Sequence, residues 1–380
     1  MAELLTNTTD LTKVASAIRE KGGTSDLLVY PDGFVTAIQA IQTGTELKII
    51  VSVTSGATVT AAKGSKVVSG TSVNNSCTLT VPEEGEWTVS ATLGGATSDS
   101  SIVNVVSSYD TSLVFIPALN DNSWETIRGI SDAGTGANYW SIGDRKEVTL
   151  NGTVGHLTLS NYTTYAFIIG FNHNAELEGT NRIHFQLAKT ALSGGTDVCF
   201  CDDQYAPDSG WSSPGAGYFV MNASNTNSGG WKSSQMRTAI CGTSLSSFFG
   251  TIIAVIPSAL RAVLKSVTKY TDNTANGGGS TASYVTATTD YFFLLSEFEV
   301  FGSIFYGNTN EKNKQAQYAY YSAGNSKIKY KHNGTSTAAN WWLRSPRASS
   351  SNFFMGVITG GTVSSYTAFY SLGFAPGFCV

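Results

Sequence analysis

The last 33 residues, Ala348 to Val380, contain no Asp, Glu, Lys, Arg, His or Gln. They follow Trp341-Trp342-Leu343-Arg344-Ser345-Pro346-Arg347 and are built mainly from Ser, Thr, Gly, Tyr, Phe, Ala and Val. A long uncharged, aromatic-dotted segment must either be packed away or serve as contact surface. Tyr and Phe supply rigid contact area at low entropic cost, and Ser and Gly adapt to what they meet. The segment is therefore the first candidate for a binding surface. If Phe354 to Val363 runs extended, Val357, Thr359, Gly361 and Val363 share one face and Gly356, Ile358, Gly360 and Thr362 the other. An ordinary hairpin turning at Gly360-Gly361 is the alternative, and a hairpin can itself carry a binding face.

Length and charge narrow the classes. At 380 residues the chain exceeds the size of one domain of about 150. Charged residues make up 13%, about half the usual share, and the net charge is −4. Such a balance offers no field for a polyanion, so nucleic acid is not an expected partner. No apolar run approaches the ~18 residues of a transmembrane helix, and the start, Met1-Ala2-Glu3-Leu4-Leu5, lacks the pattern of a signal peptide. Synthesis in the cytosol without secretion by that route is expected. Cys77, Cys199, Cys201, Cys241 and Cys379 form no disulfide framework and read as free buried thiols.

Three regions follow one another. In residues 1–46, Leu11, Val14, Ala15 and Ile18 keep helical spacing after Asp10 as N-cap, and Gly22-Gly23 ends the helix. Pro31-Asp32-Gly33 introduces a second helix with Phe34, Ile38 and Ile41 on one side. Helices this short need a partner for their stripes. Residues 47–106 carry short alternating strands: Leu47 to Val53, Thr58 to Ala62, Lys66 to Ser69, Cys77 to Val81, Trp87 to Leu93 and Ser101 to Val106. They predict a small β-sandwich of immunoglobulin-like kind acting as a spacer. Residues 107–380 form the largest unit. Ser123 caps a helix through Ile127. Lys146 to Leu150 and Tyr165 to Phe171 are strands. Gly230 to Arg237 and Pro257 to Val263 open helices, and Glu297 and Glu299 alternate in an apolar run from Tyr291 to Phe301.

Catalytic chemistry finds little support in the residues. His156, His173, His184 and His332 lack metal-ligand spacing and read as solvated or satisfied side chains. Cys199-Phe200-Cys201 is a single C-x-C without a second pair. The glycine-rich stretch Asn273 to Ser280 lacks the Gly-Lys-Ser/Thr of a phosphate loop. No catalytic residue, metal site or cofactor is assigned.

Resemblances add to this reading. Leu11 to Thr24 and Tyr30-Pro31-Asp32-Gly33-Phe34 resemble the attachment segment of phage and prophage tail proteins. Thr78 to Pro82 and Trp87 to Ser90 resemble tail-fibre and carbohydrate-protein sandwich modules. The large unit resembles the C-type lectin-fold domain of variable proteins of diversity-generating retroelements, similar to major tropism determinants. The carriers are Trp124, Tyr139-Trp140-Ser141-Ile142-Gly143-Asp144, Gly230-Trp231, Met236-Arg237, Leu295 to Gly302, Trp342-Leu343-Arg344-Ser345-Pro346 and Gly373-Phe374-Ala375-Pro376-Gly377-Phe378. The resemblance implies an α+β chain: a lectin-fold domain akin to formylglycine-generating enzymes, preceded by the sandwich and the helical segment. It also implies a variable region over about 341–380 whose exchangeable positions hold residues reachable from randomised Asn codons. Arg347, Ser350, Phe353, Gly356, Ile358, Gly360, Thr362, Ser364, Ser365, Tyr366, Thr367, Phe369, Tyr370 and Leu372 all belong to that reachable set. Met355 does not, and falls to the frame with Trp341, Trp342 and Arg344. The implied function is that of a phage tail receptor-binding protein, homotrimeric, attached to tail proteins and recognising a protein or glycan on the host surface from the virion tail. Rival readings are a cellular surface adhesin diversified in the same way and an enzyme of the formylglycine-generating type. The latter needs a cysteine pair near the C-terminal motif, where only Cys379 stands.

Overall fold

A computed structural model describes residues 8–22, 27–40, 46–94, 96–106, 108–112 and 118–380. The chain divides into two compact units, Met1–Ile116 and Pro117–Val380. Each is a separate body with its own core.

In the first unit, helices Thr8–Gly22 and Asp32–Ala40 meet through Ala15, Ile18 and Phe34, with Leu28 and Ala37 against them. Asp10 lies inside the first helix, which starts at Thr8, and so is not its cap. The expected stripe divides: Ala15, Ile18 and Phe34 are buried within the pair, while Val14 and Ile38 face solvent. Ile41 and Gly23 lie outside the described residues. Behind the helices in sequence, strand Lys48–Ser52 runs between Ser76–Thr80 and Ser108–Ser112. A second sheet joins Lys66–Thr71, Thr58–Lys63, Gly85–Leu93 and Ser101–Val105. The two sheets share one core, in which Ile49, Val51, Val59, Ala61, Trp87, Val89 and Val103 are fully buried. Alternation causes this: Trp87, Val89 and Ala91 point inward while Thr88 points to water. The parallel strand Ser108–Ser112 extends this sandwich beyond the expected limit at Val106, because its backbone completes the ladder of Lys48–Ser52.

The second unit is mixed α+β, dominated by antiparallel sheets, with few and short helices. Its main sheet runs Phe292–Phe293, Gly377–Cys379, Ile183–Lys189, Leu157–Phe171, Arg145–Val154. The final strand inserts next to one of the first, with Phe185 opposite Phe378. Ile183–Lys189 is buried at every position, as a central strand covered on both faces must be. Helix Trp124–Asp132 is capped by Ser123, whose hydroxyl accepts the Thr126 N–H at 3.0 Å, and it brings Trp124 onto Phe185 and Phe378. Between Lys189 and Gly377 the chain makes a long excursion. This excursion holds a hairpin, Val267–Asp272 with Val285–Asp290, and a three-stranded sheet, Trp341–Pro346, Phe353–Val357 and Val363–Thr367.

Several helices fall short of expectation. Gly230–Ser233 is a single turn followed by a π-helical turn, Met236–Cys241, and Pro257 stands just before Ser258–Val263. The apolar run Tyr291 to Phe301 is split, with Phe292–Phe293 an edge strand of the main sheet. It breaks at Ser296, which forms a capping box with Glu299 and opens helix Glu297–Phe301. Replacing Trp87 by Ala leaves a large cavity in the sandwich and should cost ~3–5 kcal/mol of unfolding free energy. Urea denaturation of the full chain should show the loss in one transition only, that of the first unit.

Candidate ligand-binding face

The C-terminal sheet rests on a buried ion network. Arg344 is fully buried on strand Trp341–Pro346. Its Nη2 donates to Glu299 Oε1 at 2.8 Å, its Nη1 to Glu299 Oε2 and to the Leu294 carbonyl, and its Nε to Thr271 Oγ1 at 2.8 Å. Lys269, also fully buried, donates to Glu178, to Glu299 at 3.0 Å and to the Tyr318 hydroxyl at 2.8 Å. Burial alone would raise the Glu299 carboxyl, but the opposed Arg344 and Lys269 hold it far below the carboxylate range. His173, Glu178 and Glu299 bring ligand atoms together as a metal site would. The Lys269 ammonium already bridges the two carboxylates, and both Glu299 oxygens carry Arg344. The internal cations thus do there what a metal ion would do.

Three further buried side chains latch loops onto this frame. Glu297 accepts the N–H groups of Phe305, Tyr306 and Gly307 at 2.8–3.1 Å. Asp202 accepts from Phe219 N at 2.6 Å and from Ser371 Oγ at 2.7 Å, closing the base of the loop that carries Trp211. Asn227 donates to the carbonyls of Ser350 and Phe353 at 2.8 and 2.9 Å and accepts from Asn276 N, pinning the loop that follows Arg347.

On this support the predicted residues sort cleanly. Phe353–Val357 and Val363–Thr367 form a hairpin with Phe353 opposite Thr367. The turn lies at Gly360-Gly361, where Gly361 has φ +82° and donates to the Ile358 carbonyl at 2.8 Å. The hairpin reading holds. The uninterrupted two-face alternation does not, since Thr359 is exposed where scaffold was expected. Arg347, Ser350, Phe353, Ile358, Gly360, Thr362, Ser364, Ser365, Tyr366, Thr367, Phe369 and Tyr370 are half-buried or exposed. Two positions expected on the surface are not there. Gly356 is buried, and a Cβ on it would stand 2.9 Å from the Trp341 carbonyl oxygen and 3.2 Å from the Tyr366 ring. Leu372 is fully buried, its N–H bonded to the Phe219 carbonyl. Met355, Trp341 and Trp342 are buried as frame, and Trp342 Nε1 donates to the Phe219 carbonyl at 2.9 Å.

The face also recruits residues far away in sequence. Trp211 is 40% exposed, stacks on Tyr366 at 5.7 Å between ring centres and meets Tyr370 edge-on at 5.1 Å. Its φ of +58° is costly for a bulky residue and is held by the fold around it. At the other end, Phe305 and Tyr306 stand 57% and 47% exposed. The Arg347 guanidinium lies 5.3 Å from the Tyr306 ring centre and 5.9 Å from that of Phe353. Trp211, Phe305 and Tyr306 escaped the sequence reading. Gly210-Trp211 and Phe305-Tyr306 in polar stretches were the available signals.

Elsewhere, Cys199 and Cys201 are buried with their sulfurs 4.0 Å apart, and Cys201 N donates to His332 Nδ1 at 3.2 Å. All five thiols are free and buried. The Cys201 thiol is pushed well up by its hydrogen bond to Cys199 and by burial. His173 and His184 are neither solvated nor fully satisfied: both are buried, each with an unpartnered Nε2, and burial depresses their pKa values, His173 to about 3.

Residues 218–380, which contain the hairpin, Arg344, Glu299 and Lys269 but not Glu178, Asp202 or Trp211, match a family model described as a domain of unknown function (DUF6273). No curated protein matches the chain.

Removing Arg344 leaves Glu299 buried with half its compensation. Arg344→Met should cost ~3–5 kcal/mol in urea unfolding of the second unit. Glu311 titrates in the opposite sense. It is fully buried, its pKa raised to about 7 by burial. The folded chain therefore holds a proton that the unfolded chain, with Glu near about 4.3, releases. That carboxyl favours the fold at low pH, and its contribution falls as pH rises from about 4.3 to about 7. The stability of Glu311→Gln relative to the parent should rise through that window and level off above it, as urea midpoints across the window will show.

Proposed function

We propose that the second unit displays a ligand-binding surface on a C-type lectin-like scaffold, and that the chain is a receptor-binding protein of a phage or prophage tail. The observation that carries this reading is a pair of aromatic clusters on a latched, buried frame, Trp211 with Tyr366, Tyr370 and Phe369 in one and Tyr306 with Phe353 around Arg347 in the other, gathered from three separated segments. Aromatic anchors surrounded by small hydroxyl-bearing side chains form the chemistry of a contact surface rather than of a reaction centre. The split between frame and face supports diversification by a retroelement. Twelve of the fourteen positions reachable from randomised codons touch solvent, and the unreachable Met355 is buried. The early and final strands share one sheet, and a long loop-rich excursion carries the face; this arrangement supports the lectin-like scaffold. The DUF6273 match neither favours nor opposes this reading.

Attachment falls to the N-terminal helices. Leu27, Val29, Val35 and Ile38 expose at least half their surface within a short segment, and Val14 is also exposed. Apolar area left in water forfeits ~25 cal/mol per Å², so burial between copies or in a tail socket is favoured. A trimer would multiply weak contacts of the face by avidity.

Cell binding tests the face. Fluorescently labelled protein should bind cells of a susceptible strain, and Trp211→Ala with Tyr370→Ser should remove that binding while shifting the melting temperature by only a few degrees, roughly what surface changes cause. Unchanged binding would refute the assignment. Light scattering should show that the full chain self-associates and that a chain starting at Leu47 does not.

A further inference from the structure

We propose that Arg347 selects the ligand, which presents a single carboxylate beside an apolar or aromatic group. This rests on the face being the binding surface and names what it would bind. Ala348 to Val380 carry no charged side chain, so Arg347 stands as the cation at the edge of an otherwise neutral stretch. It is half-buried, and it forms no ion pair among the described residues. Of its guanidinium nitrogens, Nη1 donates to Ser365 Oγ at 3.1 Å, while Nε is buried without a partner and Nη2 has no hydrogen bond among the described residues. Arg344, three residues earlier, has every guanidinium nitrogen bonded. The contrast marks Arg347 as incomplete in the free protein.

The free Nε and Nη2 lie on one edge of a planar group, and two parallel N–H donors fit the two oxygens of a carboxylate. The Tyr306 and Phe353 rings flank the guanidinium and orient it. They also limit water, which strengthens a charged pair formed there and penalises any charge left over. One guanidinium balances one negative charge. A dianionic phosphate would leave its second charge uncompensated beside aromatic rings, so a monoanion is favoured. Because Nε is buried, the ligand must enter with a small shift of one flanking ring, and its apolar part replaces the contact that ring gives up.

The test uses the full chain with three probes of one shape: phenylacetate, its neutral amide phenylacetamide, and phenylphosphonate. Binding is followed by NMR at the Arg347 Nε–H and by Trp fluorescence. Phenylacetate should bind about tenfold more tightly than the amide and more tightly than the phosphonate, and it should shift the Arg347 Nε–H. Arg347→Met should bring acid and amide to equal affinity. Arg347→Lys, which keeps charge and loses the planar edge, should restore only part of the preference, and it carries the test if the Met variant does not fold. Equal affinity of acid and amide, no binding of the acid, a phosphonate preference, or a preference surviving in Arg347→Met would each overturn the proposal. The face itself is judged separately, by whether Trp211→Ala with Tyr370→Ser still binds cells.

Discussion

The C-terminal sheet depends on the pairing of Arg344 with Glu299, reinforced by Lys269 and Glu178. These residues come from four stretches separated by up to 166 positions (344 minus 178), and all four are essentially fully buried. Removing such charges from water is expensive, and an apolar cluster of the same volume would often be as stable. What the network adds is direction. Arg344 has one geometry in which all its donors are met, and that geometry fixes strand Trp341–Pro346 against helix Glu297–Phe301 and hairpin strand Val267–Asp272. The hairpin next to it inherits that position through its backbone ladder.

On the proposed reading, this anchoring is what would let the face exchange its side chains. Glu297 and Asn227 hold their loops by backbone groups, and Asp202 does so through Phe219 N with one side chain, the buried Ser371 hydroxyl, added. A loop fixed through its N–H and C=O groups can exchange side chains at little cost. Gly356 shows the limit: its neighbour is the Trp341 carbonyl, and no side chain fits there.

Much of this order is legible in the sequence where it is local. Alternating Trp87, Val89 and Ala91 announce a strand, Ser123 announces a helix start, and Gly360-Gly361 in the uncharged terminus announces the hairpin, while the fourteen surface positions come from the family resemblance and twelve of them reach solvent. What could not be read is long-range. Glu297 and Glu299 look like an alternating strand pair until Ser296 caps them into a helix and Arg344 claims one of them. Trp211 reads as a lone aromatic in a loop, because its stack on Tyr366 spans 155 positions (366 minus 211). Gly356 and Leu372 satisfy the compositional rule for the face, yet packing buries them. Composition does not distinguish a Gly that is free to vary from one under a carbonyl. The N-terminal stripe finds part of its partner in its own segment, since Ala15, Ile18 and Phe34 bury one another while Val14 and Ile38 stay exposed, and that division depends on how the two helices cross.

The central claim is that a rigid, ion-anchored frame holds a face whose side chains are free to change. A proteolysis-based stability scan of single substitutions at every position from Arg347 to Leu372 tests it most directly. The account predicts that Ser350, Phe353, Ile358, Gly360, Thr362, Ser364, Ser365, Thr367, Phe369 and Tyr370 accept most residues with changes within about 0.5–1 kcal/mol, while Phe354, Met355, Gly356 and Leu372 lose several. Equal sensitivity across the two groups would mean that the face is part of the core, and the division between frame and display would fall.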